Sequence, residues 1–130
     1  MTLFARPGMA VAFGAFFICA ATCTHFDEIT TSPRSLAPDW AAGVFLFGGA
    51  ILSSRDWPDG RVYQVAAWAF MVSLLFNSVH GNLESWLASE TAAAPTGLVT
   101  LPLGLHLAIE AVLLAVACGG PIASLRVKRA

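Results

Sequence analysis

The sequence predicts an all-α fold: an integral membrane bundle of four helices running up, down, up and down. Three observations carry that expectation. Charged residues make up 12% of the 130-residue chain and apolar residues 57%, whereas soluble domains carry about 25% charge. The apolar residues gather into four runs almost free of charge, and the mean hydropathy is +0.71. The links between runs are short and rich in helix breakers: Thr30-Thr31-Ser32-Pro33, Pro58-Asp59-Gly60 and Ala94-Pro95-Thr96-Gly97. Short links favour antiparallel neighbours. Residues 1–130 read as one domain without internal repeat or low-complexity tract.

A helix needs about 20 apolar residues to cross a bilayer, fewer where flanking groups snorkel. The first span is expected at about 8–26. One arginine, Arg6, precedes it, as in a signal peptide, but the run ends in Cys23-Thr24-His25-Phe26-Asp27-Glu28 without a small-x-small cleavage site, so it reads as a retained helix. The second, about 39–55, has only 15 uncharged residues between Trp40 and Ser54 and is the thinnest of the four. The third runs from about 62 to 86. The fourth is expected at about 98–119, with Pro102 in its first turns, where proline is tolerated. Gly119-Gly120-Pro121 is its expected terminator.

Positive residues orient such a bundle. Arg6, Arg55, Arg61, Arg126, Lys128 and Arg129 fall at the N-terminus, the second link and the C-terminus, and only Arg34 falls in the first link. Both termini are therefore expected in the cytoplasm, with the chain multi-pass in the cell (inner) membrane. Trp40, Trp57 and Trp86 stand at span ends, where interfacial aromatics belong. The net charge of −1 offers no basic surface for nucleic acid.

Ionisable groups inside the spans are costly and mark candidate sites. Ser73, Asn77, His80, Gly81 and Glu84 follow helical i, i+3, i+4 spacing on the third span. His106 and Glu110 are one turn apart on the fourth, so His-x-x-x-Glu occurs twice, each time with carboxylate and imidazole in reach. At about 1.5 Å per residue from the cytoplasmic ends, His25, Asn77 and His80 lie roughly 22–27 Å up and His106 roughly 21 Å. Ser73 and Glu110 lie roughly 15 Å up, near the midplane. The second span adds only Gly43, Gly48 and Gly49, suited to close packing.

These residues point first to a pocket near the outer leaflet that binds a small apolar or amphipathic molecule. His80, Glu84, His106 and Glu110 are the acid/base candidates, and His25, Ser73 and Asn77 the ligand-binding ones. A carboxylate against an imidazole fixes its tautomer and equips the pair to move a proton, in isomerase- or hydrolase-like chemistry. Sterol isomerases of the emopamil-binding type use a similar pair, although nothing else in the chain resembles them. The second reading is a haem or divalent-metal site on His25, His80 and His106; the sequence requires no cofactor. The third is an accessory subunit or homo-oligomer in a larger membrane complex, with the polar stripes facing partners. A plainer alternative is that the polar residues only cross-link the helices. Cys19, Cys23 and Cys118 lie in apolar runs without C-x-x-C spacing and read as small apolar residues.

The stretch Gly43-Val44-Phe45-Leu46-Phe47-Gly48-Gly49-Ala50, then Trp57-Pro58, Val65-Ala66-Ala67-Trp68 and Asn77-Ser78-Val79-His80 resembles DoxX-like small membrane proteins. The resemblance covers the middle third of the chain. It implies four helices, a Gly/Ala-rich second helix and a polar end to the third. The Cys-Thr-His-Phe-Asp-Glu ending of the first span departs from that pattern.

Overall fold

The computed structural model describes residues 7–26, 28–32, 34, 36–55, 57–88 and 102–126. The described residues fall mainly in helices: α1 Pro7–Thr24, a four-residue α2 Glu28–Thr31, α3 Ala37–Ser54, α4 Gly60–Ala88 and α5 Leu103–Arg126, with no strand among them. The expected start of the fourth span near residue 98, the link around Pro95, and Arg6, Lys128 and Arg129 lie outside the described residues.

Local chemistry sets the ends. Pro38 stands in the first turn of α3 beside Asp39, where proline sacrifices no hydrogen bond and a carboxylate meets the positive helix end. At α5 the backbone N–H groups of Leu105 and His106 both donate to the Pro102 carbonyl, at 2.9 and 3.0 Å. Pro102 thus sits just ahead of the first turn. The Gly119-Gly120-Pro121 terminator does not act as one, because α5 runs on to Arg126 with Pro121 inside it. Packing explains the glycine: a Cβ on Gly120 would lie 2.2 Å from Cδ2 of Trp68, whose ring is fully buried against that backbone. The short α2 in the first link has no counterpart in the apolar pattern.

The long helices run antiparallel in chain order. Thr22, Ile18 and Gly14 of α1 meet Trp40, Gly43 and Leu46 of α3. Gly49 and Phe45 of α3 meet Gln64 and Phe70 of α4. Trp68, Ser78 and Trp86 of α4 meet Gly120, Glu110 and Gly104 of α5. In each series the partner number falls as the other rises. α1 packs on α3, α3 on α4 and α4 on α5, while α1 and α5 at most graze each other. The core runs through Phe13, Leu46, Trp68, Met71 and Leu75, closed by small residues Ala10, Ala42, Ala50, Ala67 and Ala117.

Three helices are long and apolar enough to cross a membrane: Pro7–Thr24, Gly60–Ala88 and Leu103–Ile122. Helix α3 has the same 18 residues as α1 but carries Asp39, Ser53 and Ser54 at its ends. The outside is apolar on every long helix: Phe16, Val44, Phe45, Ile51, Val62, Phe76, Val112 and Ile122 are all exposed. Patches of that extent mark a surface made for lipid or protein.

Candidate functional site

The antiparallel register brings the C-terminal ends of α1 and α4 to the N-terminal ends of α3 and α5. There a cavity of about 270 Å³ opens between α1, α4 and α5. Its walls are graded. Thr24, His25, Asp39, Asn82 and His106 line the end nearest the links; Ala20, Ala21, Ser78 and Glu110 come next; Phe16, Phe17, Leu74, Leu75 and Leu113 line the part farthest from the links. The mouth lies where α1 and α5 fail to meet, since Phe16 and Ile109 are wall residues and are still 52% and 41% exposed.

Glu110 is the centre of the polar part. Ser78 Oγ donates to its Oε1 at 2.5 Å, and Asn82 Nδ2 donates to its Oε2 at 2.7 Å. His106 Nε2 lies 3.3 Å from Oε1, with the two side chains only 15% and 12% exposed. Three groups thus fix both carboxylate oxygens, as a largely buried carboxylate requires. Ser78 and Asn82 stand one turn apart on α4, and continue the row Met71, Leu74, Leu75 that faces the interior.

Of the residues singled out by sequence, His25, His106 and Glu110 line this cavity. Ser73, Asn77, His80 and Glu84 do not. Their stripe faces out of the bundle; His80 Nε2 lies 3.3 Å from Glu84 Oε1, but the two side chains are 62% and 69% exposed. The reason is rotational. Trp68 is wedged beneath Gly120 and Gln64 is pressed on Gly49, which turns that face of α4 inward and the Ser73–Glu84 stripe outward. The two His-x-x-x-Glu pairs therefore do not share a site. The three histidines do not form one ligand layer either, and no group of three His, Cys, Asp or Glu placed to hold a metal ion exists among the described residues. Ser78, Asn82 and Asp39 were not singled out by sequence. Continuing the buried row of α4 in steps of three and four from Trp68 is the signal that reaches Ser78 and Asn82.

No family model, no curated protein and no solved structure matches the chain.

Proposed function

We propose that the chain is a four-helix protein of the cell membrane, with both termini cytoplasmic, that takes a small amphipathic molecule from the bilayer into the cavity between α1, α4 and α5. The observation that carries this reading is the grading of the walls around a fixed carboxylate. A polar head group meets Glu110, His106 and His25, while an apolar tail lies on Phe16, Phe17, Leu74 and Leu113. The volume sits at the small end of ligand pockets, about 300 Å³. The exposed apolar residues of α3, Val44, Phe45 and Ile51, support counting it as the fourth span, as does the DoxX-like resemblance of this segment. Six of seven positive charges support the orientation.

His106 and Glu110 are the proton-handling pair of this reading. A carboxylate already supplied with donors by Ser78 and Asn82 holds the imidazole in one orientation, leaving its other ring nitrogen for a bound molecule. His80 and Glu84 lie outside the cavity and have no part in this chemistry.

The test is the content of the cavity. Protein purified in mild detergent is extracted with organic solvent and the extract analysed by mass spectrometry, beside Ile109→Trp, which places a ring across the mouth. The wild type should release one compound class in stoichiometric amount that the variant lacks. Extracts that match bulk lipid in both proteins sink the proposal.

A further inference from the structure

The face that α4 turns away from the cavity is continuous along the helix. Tyr63, Ala66, Phe70, Ser73, Asn77, His80, Glu84 and Leu87 alternate in steps of three and four, the spacing of a coiled-coil seam. Seven are exposed and Phe70 is half-buried. Toward the α3 side, Tyr63, Ala66 and Phe70 join Val44, Phe45 and Gly48 around an apolar groove of about 490 Å³. Toward the other end the seam turns polar.

That polarity is misplaced for lipid. Helix α4 has 29 residues, about 43 Å at the helical rise, against about 30 Å of hydrocarbon. Wherever the roughly 20 spanning residues are taken from, positions 69–79 lie among them, so Ser73 and Asn77 are in hydrocarbon. Among the described residues Asn77 has no hydrogen-bond partner. An amide facing acyl chains finds its partner on another helix.

We infer that α4 is the seam of a parallel two-fold dimer of this chain, with Asn77 paired to Asn77 of the second copy at the axis. Copies inserted with the same orientation lie parallel, so each seam position meets its own number. An amide carries both donors and acceptors and is complementary to itself; an asparagine inside an apolar seam fixes register and partner number. The charged end is self-complementary as well. His80 and Glu84 are one turn apart, so each imidazole of a parallel pair lies beside the carboxylate of the other copy as well as its own. Ser73 and Gly81 leave the backbones room to approach; a Cβ on Gly81 would meet nothing within 4 Å. The inference rests on α4 crossing a bilayer, as in the proposed function, and not on the cavity or its ligand.

The full chain, labelled for single-molecule photobleaching, is reconstituted in bilayers and diluted in lipid. The expected result is a dimer that Asn77→Leu weakens by about tenfold while helix content is unchanged, since Asn77 is exposed within one copy and its replacement disturbs no packing inside the chain. Val112→Leu, on the exposed side of α5, should behave as wild type. In a background with Cys19, Cys23 and Cys118 replaced by alanine, Ser73→Cys should oxidise to a cross-linked homodimer in native membranes and Val112→Cys should not. A wild type that is monomeric at every dilution overturns the inference, as does an Asn77→Leu protein that dimerises normally, or cross-linking of Ser73→Cys only to a different protein. Retention in the membrane pellet after alkaline carbonate extraction separates these outcomes from failure of the membrane reading itself.

Discussion

At Glu110 each carboxylate oxygen has its own donor on α4, and removing one leaves a polar atom stranded in a largely closed site. Asn82→Leu should therefore destabilise the protein by about 1–3 kcal/mol, seen as a lower midpoint in thermal unfolding in detergent. His80→Ala and Glu84→Ala, on a pair that is 62% and 69% exposed within one copy, should lower the midpoint less, through the proposed seam between copies and not through the packing of one chain. The reverse ranking would mean that the outer pair, and not the inner one, ties the helices together. At this scale the sequence was half legible. His106 and Glu110 stood out because an ionisable pair in an apolar run is rare, and His25 because it ends one. Ser78 and Asn82 did not stand out, because the neighbouring stripe of Ser73, Asn77, His80 and Glu84, with its histidine and carboxylate, looked richer. Asp39 was hidden by its place at the start of α3, where an acidic residue has a sufficient reason in the helix dipole.

Helix packing turns on where glycine is needed and where it is not. Gly49 faces α4 so closely that a Cβ there would lie 2.8 Å from the Gln64 Cα, a backbone atom that cannot step aside, while a Cβ on adjacent Gly48 would meet nothing within 4 Å. Gly49→Ala should cost about 1–3 kcal/mol, and Gly48→Ala should be neutral or stabilise by up to about 1 kcal/mol through helix propensity. Thermal unfolding of the two variants side by side checks this; equal midpoints would mean that α3 and α4 are not in close contact at Gly49. The expected packing role of the second-span glycines thus holds for Gly43 and Gly49 and not for Gly48. That the long helices α1, α3, α4 and α5 fall on the charge-free runs was readable; the short α2 and the end of α5 were not. Rotation was not. Periodicity defines a face only where the other face differs, and these helices are apolar on nearly all sides. The end of α5 was misjudged for a related cause: Gly-Gly-Pro terminates a helix by local preference, but burial of Trp68 on Gly120 outweighs that preference.

For the whole molecule the positive charges make a prediction that the packing alone does not. Single cysteines placed at Ser32 and at Asp59, in a background lacking the native three, should differ in intact cells. Ser32→Cys should react with a membrane-impermeant maleimide from outside, and Asp59→Cys only after lysis. The opposite pattern would invert the proposed orientation. An all-helical chain with helices apolar enough to cross a membrane was legible at this scale because composition alone restricts a chain so poor in charge to few solvents. The arrangement of α1 and α5, in contact with their neighbours but scarcely with each other, was not legible, since it depends on side-chain bulk along two faces at once. That gap has a consequence for measurement. On the proposed function the mouth opens sideways into a bilayer and the ligand arrives by two-dimensional diffusion, so occupancy would follow the ligand's mole fraction among lipids and not its concentration in buffer. Washing would not empty it and added lipid would, and any dissociation constant for this protein would have to be quoted per lipid.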